Sequence, residues 1–227
     1  MAALSGKLAL VTGASRGLGY AVARALGAEG AHVIALARTV GGLEELDDEI
    51  TAAGGSATLT PADITEDEGL ARLGAAIHER WGKLDVWVHT AAHAAPLSPA
   101  GHIEAKDLDA AFKVNARATQ RLIRVLDPLL QAADRAQAVF FDDETAEGAK
   151  FYGAYGASKA AQRAIAESYA AETRVSTVSV WRASPPPMPT ALRARARPGE
   201  DQSALTPCAD IASKLAAQIA GGGPGRT

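Results

Sequence analysis

The stretch that decides the fold is LALVTGASRGLG, residues 8–19. It begins with a short apolar run typical of a buried strand, and Leu18, Val22 and Leu26 then recur at helical spacing until Gly30 ends the helix. Glycines between a strand and a helix allow a tight turn, and they let backbone N–H groups approach a phosphate at the positive end of the helix. A sharp turn that binds nothing is the alternative. The strand-first context favours the phosphate turn of a dinucleotide site, with these residues: Gly13, Ser15, Arg16, Gly17, Leu18 and Gly19.

The same alternation of apolar runs and helical periods continues along the chain. Predicted strands cover residues 8–12, 31–37, 56–60, 84–89, 137–141 and 175–181, and predicted helices cover 42–53, 66–81, 105–131 and 153–172. A last helix is expected to start with Thr206 as its N-cap and Pro207 at its first position. This order favours an α/β fold in one domain over residues 1–227: a doubly wound (Rossmann) parallel sheet of about six strands with helices on both faces.

The lid segment, residues 182–205, is rich in Pro, Arg and Ser and has no period. Its length favours a lid or a binding loop, and a mobile solvated loop is the alternative. Its arginines Arg193, Arg195 and Arg197 would suit an anionic substrate if they are not simply solvated.

Composition disfavours several classes of protein. The net charge is −3 and no basic stripe interleaves with aromatic residues, so a nucleic acid partner is not expected. The single cysteine, Cys208, excludes an internal disulfide and suits a reducing compartment, which predicts a cytoplasmic protein. No apolar run has the ~18 residues of a membrane span, so no membrane association is expected. His89 and His93 lack a third ligand, and no metal site is assigned.

Two arginines indicate which dinucleotide is bound. An acidic residue at the end of the second strand would accept hydrogen bonds from a free ribose 2′-hydroxyl, but Arg38 stands there. With Arg16 it could clamp a 2′-phosphate, which favours NADP(H) over NAD(H). Asp63 either binds the adenine amino group or caps the next helix. Ile64 and Ala91 complete the cofactor-binding set.

Tyr155 and Lys159 lie one helical turn apart and project from the same face. A nearby ammonium stabilises phenolate, so the phenol becomes a usable acid or base for a carbonyl and alcohol pair. Alone, such a pair is usually an exposed one, and its position after the fifth strand carries the interpretation. Asn115, on the buried stripe of the 105–131 helix, could hold a water that relays protons to Lys159, or could be structural.

Together, these motifs resemble the short-chain dehydrogenase/reductase family of single-domain type over residues 7–219, and within it the bacterial branch of YciK-like oxidoreductases. The resemblance implies an NADP(H)-dependent enzyme that reduces a small-molecule carbonyl or oxidises a secondary alcohol. It implies that Tyr155 exchanges the proton, that Lys159 lowers the pKa of that phenol and binds the nicotinamide ribose, and that Asn115 anchors the water relay. Thr190 would contact the carboxamide.

The main departure from the family lies twelve or thirteen residues before Tyr155, where a serine should donate a hydrogen bond to the substrate oxygen. The sequence there reads Phe141-Asp142-Asp143-Glu144, and Asp142 is assigned to the site in its place. An ionised carboxylate only accepts hydrogen bonds, so it would oppose a developing oxyanion and slow carbonyl reduction. An NADP(H)-binding homologue without turnover, serving as a sensor or scaffold, is therefore the alternative. A third alternative is an interaction module that binds no nucleotide, which requires that the glycine turn bind no phosphate.

Three further departures concern the surroundings. The family's Asn-Asn-Ala-Gly stretch reads His89-Thr90-Ala91-Ala92, and Pro186 replaces a glycine in the lid segment. The family's seventh strand, which often helps to build a dimer or tetramer, is expected to be missing. Assembly is therefore open, with a homodimer as the state considered.

Overall fold

Six parallel strands form the centre of the molecule, in the order β3-β2-β1-β4-β5-β6. The structure, a computed structural model, describes residues 2–224. The strands are β1 (Leu8–Thr12), β2 (His32–Ala37), β3 (Ser56–Pro61), β4 (Val86–His89), β5 (Ala136–Phe141) and β6 (Val178–Ala183). The predicted doubly wound parallel sheet is confirmed, and residues 2–224 contain no seventh strand.

Helices cover both faces of this sheet because strands buried on two sides need apolar cover on each. The α-helices are α1 (Gly17–Ala28), α2 (Val40–Ala52), α3 (Asp67–Trp81), α4 (Ala105–Phe112), α5 (Ala118–Gln131), α6 (Gly153–Glu172), α7 (Ala191–Ala196) and α8 (Cys208–Ala220). One core lies under α1, α2 and α8, and a second lies under α3, α5 and α6. None of the helices described over residues 2–224 has the length and apolar character needed to cross a bilayer.

The predicted helix over residues 105–131 is interrupted. Between α4 and α5, residues Lys113–Arg117 form a π-helical turn, and Asn115 lies fully buried within it. A π-turn widens the helix by one residue and is frequent at functional sites. Hydrophobic periodicity alone does not reveal such a turn, because the apolar stripe continues through it.

Two predicted boundaries at the C-terminal end are wrong, and the lid segment is more ordered than its composition indicates. The sixth strand starts at Val178 rather than at residue 175, since Val175 is 98% exposed and cannot contribute to a sheet interior. The lid segment is partly ordered, because it contains α7 and a short 3₁₀ turn over Gln202–Ala204. Pro207 occupies the N-cap position of α8 rather than its first helical position, so Thr206 is not the cap.

The topology creates a crevice at one edge of the sheet. From β3 the chain crosses back over β1 to form β4, so the connections after β1 and β4 leave in opposite directions. Ligands of open α/β sheets bind outside the carboxyl ends of the strands at such a reversal.

Candidate active site

A cleft of about 540 Å³ opens at the carboxyl ends of β1 and β4. This volume lies within the ~300–1,000 Å³ typical of small-molecule sites. The cleft brings together every site residue predicted from the sequence except Asn115: Gly13, Ser15, Arg16, Gly17, Leu18, Gly19, Arg38, Asp63, Ile64, Ala91, Asp142, Tyr155, Lys159 and Thr190.

The backbone of the glycine turn has a conformation and close contacts that leave no room for side chains at its glycines. Gly13 and Gly17 have φ values of +78° and +59°, in the left-handed region that favours glycine. A Cβ added to Gly19 would lie 2.3 Å from the Gly13 carbonyl oxygen and 2.4 Å from Thr90 Oγ1. Helix α1 begins at Gly17, and no side chain caps its N-terminus. The free N–H groups of the first helical turn therefore fit a phosphate, as a pyrophosphate-binding turn requires.

The far end of the cleft carries the two predicted arginines. Arg16 and Arg38 both line it, and Arg38 Nη1 lies 4.0 Å from Asp63 Oδ2. Asp63 Oδ1 accepts a hydrogen bond of 2.8 Å from the backbone N–H of Thr65. Burial acts to raise the pKa of Asp63, but the Thr65 hydrogen bonds and the charges of Arg38 and Lys113 hold it below its usual range. Asp63 does not cap the following helix, because α3 begins at Asp67 after Glu66.

The lid segment rests on the glycine turn through Thr190. A Cβ on Gly17 would lie 3.4 Å from Thr190 Cγ2, and Thr190 Oγ1 accepts a hydrogen bond from the Arg193 N–H at the start of α7. Arg193 makes a bidentate ion pair with Glu200, both contacts measuring 2.6 Å. Its charge is therefore matched within the lid segment, while Arg195 also lines the cleft.

Tyr155 and Lys159 lie in the first two turns of α6 and are only 6% and 5% exposed. Lys159 Nζ donates to the Phe141 carbonyl oxygen at 2.6 Å and to Gln162 Oε1. Burial lowers the pKa of Lys159 to about 8, against the raising effect of Asp142, Asp143 and Glu147. The ammonium is thus fixed by two acceptors and keeps one donor for a ligand.

The pKa of the Tyr155 phenol is raised well above its usual range rather than lowered. Burial is the main cause, followed by the charge of Asp143, a hydrogen bond to Asp143 and the proximity of Tyr152. Lys159 is not among the groups that shift this pKa, and the net shift is opposite to the predicted lowering, because burial and a neighbouring carboxylate dominate.

The two carboxylates in the position of the family's serine both line the cleft with Tyr155, but they have different partners. Asp142 forms an ion pair with Arg182, which also lies 3.0 Å from Glu167. Asp143 Oδ1 accepts a hydrogen bond of 2.7 Å from Thr145 Oγ1, and Asp143 contributes to the raised pKa of Tyr155. The assignment of Asp142 to the site stays a prediction, because both carboxylates line the cleft. Spacing alone allowed twelve or thirteen residues, and a one-residue choice depends on the turn after β5.

The hydrogen bonds of the Asn115 side chain go to His93 and Ser158 rather than to Lys159. Asn115 Oδ1 accepts from the backbone N–H of His93 at 2.8 Å, and its Nδ2 donates to the His93 carbonyl at 2.9 Å and to Ser158 Oγ at 2.8 Å. The side chain therefore fastens the loop after β4 to α6, and both protons of its amide are donated.

A buried hydrogen-bonded network under the site was not predicted. His89 Nδ1 contacts Thr12 Oγ1 at 2.7 Å, and its Nε2 contacts Thr119 Oγ1 at 2.9 Å. Gln162 Nε2 donates to Thr119 at 3.3 Å, and its Oε1 accepts from Lys159. Polar residues on buried helical positions were the available signal, since Gln162 follows Lys159 by three residues and Thr119 follows Asn115 by four.

His89 is a neutral member of this network. Burial, with a smaller effect of the Lys159 charge, lowers the pKa of His89 to about 3. Thr119 Oγ1 donates to the Asn115 carbonyl at 2.6 Å, so its oxygen accepts from the His89 ring. This pattern assigns the imidazole proton to Nε2 and leaves Nδ1 to accept from Thr12.

The sequence and the structure both match known proteins. The sequence model of the short chain dehydrogenase family matches residues 7–201. The chain is 32% identical over 190 residues to the oxidoreductase asL5 of Sarocladium schorii, a match that covers 83% of this chain and 75% of that one. Against a short chain dehydrogenase of Pseudocercospora fijiensis it is 35% identical, but it spans 55% of that protein's length.

Solved structures resemble the whole chain. A short chain dehydrogenase from Pseudomonas syringae has a TM-score of 0.92 and 32% identity, with 98% of this chain and 91% of that chain covered. A short chain dehydrogenase from Shigella flexneri, described as complexed with NADP, has a TM-score of 0.89 and 28% identity. The match covers 96% of this chain and 92% of that chain. The oxidoreductase yciK from E. coli has a TM-score of 0.88 and 29% identity, with 95% of this chain and 89% of that chain covered.

Proposed function

The chain belongs to the short chain dehydrogenase family, and from that premise we propose that it is an NADP(H)-dependent oxidoreductase acting on a small-molecule carbonyl or secondary alcohol. The observation that carries the proposal is that one cleft holds both the glycine turn and the Tyr155–Lys159 pair. Neither half alone would support hydride transfer. A turn without an acid or base would only bind, and a Tyr–Lys pair without the turn would have no dinucleotide beside it.

The cofactor preference follows from charge at the far end of the cleft. Arg16 and Arg38 offer two guanidinium groups against the single carboxylate of Asp63, and planar donors of this kind suit a phosphate ester. The Shigella flexneri relative is described with NADP, which supports the same choice. When bound, the dinucleotide supplies the hydride donor or acceptor. Ile64 and Ala91 would border its adenosine half, and Thr190 its carboxamide.

At the reaction end, Tyr155 would exchange a proton with the substrate oxygen. Lys159 would bind the nicotinamide ribose through its remaining donor, because its other two are committed to Phe141 and Gln162. Asn115 would support the site as a positioning residue, through His93 and Ser158. A water relay anchored at Asn115, a homodimer and a cytoplasmic location stay predictions from the sequence.

A second candidate function is NADP(H) binding without turnover, as a sensor or scaffold. The observation that favours it is that two carboxylates, Asp142 and Asp143, line the cleft with Tyr155 where the resemblance calls for a hydroxyl donor. A preorganised donor is typically worth about 10²- to 10³-fold in rate, so its replacement by an acceptor could leave the fold and the binding intact while chemistry slows.

Calorimetry and a turnover panel test the proposal. We expect tighter binding of NADPH than of NADH, and turnover on at least one alcohol or carbonyl that is abolished in Tyr155→Phe. Binding of NADPH without turnover on a broad panel would favour the sensor or scaffold. Failure to bind either dinucleotide would exclude both candidates.

A further inference from the structure

Helix α6 is joined to the π-turn and to α5 by two side-chain hydrogen bonds that lie one helical turn apart. In the π-turn, Asn115 Nδ2 donates to Ser158 Oγ at 2.8 Å. Four residues further along both helices, Gln162 Nε2 donates to Thr119 Oγ1 at 3.3 Å. All four side chains are buried, so their polar groups need partners inside the protein. Asn115 belongs to the motifs predicted from the sequence, whereas Thr119 and Gln162 belong to none of them.

The Thr119 hydroxyl is the point where this hydrogen-bonded network branches. It donates its proton to the Asn115 carbonyl oxygen at 2.6 Å. Its oxygen accepts from two donors, His89 Nε2 at 2.9 Å and Gln162 Nε2 at 3.3 Å. A hydroxyl has one proton and two acceptor lone pairs, so these three bonds use the whole capacity of the group.

The direction of each bond between Thr119 and Lys159 is fixed by chemistry. The Lys159 ammonium can only donate, so the Gln162 amide must turn its oxygen, Oε1, toward it. The amide nitrogen then faces Thr119, which supplies an acceptor there. Without that acceptor, the amide would either bury an unpaired N–H group or turn it elsewhere and withdraw its oxygen from Lys159. The orientation of Gln162 therefore depends on Thr119.

We infer that Thr119 is a positioning residue for the proposed reaction: through the Gln162 amide, it holds the Lys159 ammonium in place for the nicotinamide ribose. The inference rests on the proposed function and deepens it by adding a residue that no predicted motif contains. It also connects Lys159 to the Asn115 carbonyl through two side chains, where the resemblance implies a water.

Titratable groups surround Lys159 on several elements. They are His89 of β4, Asp142, Asp143 and Glu147 of the segment between β5 and α6, and Tyr155 of α6. The three carboxylates raise the pKa of Lys159, but burial outweighs them and lowers it to about 8. His89 and Tyr155 are neutral near that pH, since burial lowers the pKa of the first and raises that of the second. Loss of the Gln162 acceptor should therefore lower the pKa of Lys159 further, because the buried ammonium loses a hydrogen bond.

Lysine NMR tests the contact without dinucleotide or turnover. In protein labelled with ¹³C at lysine Cε, the Lys159 signal is assigned by its absence in Lys159→Arg, and its titration midpoint is measured. We expect the midpoint to fall by about one pH unit in Gln162→Leu, because the ammonium loses one of its two acceptors. Thr119→Val should move it in the same direction by at least about half a pH unit, because valine leaves Gln162 Nε2 without its acceptor.

Two further variants separate positioning from packing. Thr119→Ser keeps the hydroxyl and should leave the Lys159 midpoint at its wild-type value. Thr173→Val is the matched control, because the buried Thr173 also donates to a carbonyl four residues earlier, that of Tyr169 at 2.9 Å, but lies at the far end of α6. It should leave the midpoint unchanged as well.

A double variant tests whether Thr119 acts through Gln162. In Thr119→Val combined with Gln162→Leu, no amide is left to orient. We therefore expect the Lys159 midpoint of Gln162→Leu alone, rather than the sum of the two shifts.

Turnover tests whether the same contact matters for the reaction. We expect Thr119→Val to lower kcat by about threefold, which is no more than Gln162→Leu does, with little change in NADPH affinity. The pH at which turnover falls by half on the alkaline side should move down together with the Lys159 midpoint. Thr119→Ser should restore both kcat and the pH profile.

The failures of the two proposals are distinguishable, because the NMR titration needs no dinucleotide. The role of Thr119 is overturned by an unchanged midpoint in Thr119→Val, by an equal shift in Thr119→Ser, or by additive shifts in the double variant. A lowered midpoint with unchanged kcat and pH profile would overturn it too, since the contact would then be structural only. If Thr119→Val does not fold, an unchanged midpoint in Gln162→Leu would overturn the inference by itself. Wild-type protein that binds neither dinucleotide would overturn the proposed function, whatever the midpoints.

Discussion

At the end of β1 the glycine turn is specified by backbone geometry, whereas at the end of β5 the site is specified by side chains. An added Cβ at Gly19 would meet a carbonyl oxygen at 2.3 Å, so the turn has no freedom to vary. After β5, an aspartate occupies a serine's place and the chain still follows the family's fold, with a TM-score of 0.92 to a relative. We therefore expect dinucleotide binding and chemistry to be separable properties of one cleft.

The largest effect is expected from Gly19→Ala, in the backbone-specified half. The new methyl group would overlap the Gly13 carbonyl and Thr90 Oγ1, so the turn would have to shift away from its phosphate-binding shape. We expect NADPH affinity, measured by calorimetry, to fall by at least about a hundredfold, which is about 2.7 kcal/mol. Gly41→Ala is the control, since a Cβ there meets nothing within 4 Å. Equal affinities in the two variants would show that the turn does not bind the phosphates.

A smaller effect is expected from Arg38→Ala, at the far end of the same half. Loss of a charge-assisted contact to the 2′-phosphate should weaken NADPH binding by about 10- to 100-fold, since hydrogen bonds to charged groups contribute about 1.5–3 kcal/mol. NADH has no such phosphate, so its affinity should change little. A parallel loss for both dinucleotides would contradict the assignment of Arg38 to cofactor selection.

The buried network of His89 beneath the Tyr155 end of the cleft should make the stability of the protein depend on pH. The pKa of buried His89 is about 3 in the folded protein, below the ordinary value of about 6.5 in an unfolded chain. The stability that neutral His89 contributes is thus fully present above about pH 6.5 and is lost as the pH falls from there toward 3. We expect His89→Asn to reduce this acid sensitivity by up to about 1.4 kcal/mol per pH unit, measured by urea unfolding at pH 5 and pH 7.5. An unchanged slope would show that His89 does not titrate with unfolding.

The smallest effect is expected from Gln162→Leu. It removes one acceptor of the Lys159 ammonium but leaves the Phe141 carbonyl, so Lys159 should stay in the site with less restraint. We expect a decrease in kcat of about threefold to tenfold with little change in NADPH affinity, because one hydrogen bond contributes about 1 kcal/mol. A loss of NADPH affinity as large as that of Gly19→Ala would show that Gln162 supports dinucleotide binding rather than the chemistry.

The two halves also differ in how far the sequence predicts them. Residues 8–19 determine the turn through glycine spacing and strand order, and the structure has the strand and helix where this pattern puts them. The reaction end depends on which way a loop turns, so spacing could not distinguish Asp142 from Asp143. It depends also on long-range contacts such as His89 with Thr119, which are 30 residues apart and leave no periodic pattern.

Burial explains the remaining differences. The sequence placed Tyr155 next to Lys159, but the direction of the phenol's pKa shift depends on how deeply α6 packs and on Asp143, and neither is a local property. Likewise, the π-turn at Asn115 interrupts a stripe that reads as a continuous helix, because a one-residue bulge changes the register only locally.

A crystal structure of the protein grown with NADP⁺ tests most directly whether both halves form one working site. We expect the pyrophosphate over the N-terminus of α1, the 2′-phosphate against Arg16 and Arg38, and the nicotinamide ring at the Tyr155 end of the cleft. A dinucleotide bound with its nicotinamide directed away from Tyr155, or no bound dinucleotide at saturating concentration, would contradict it.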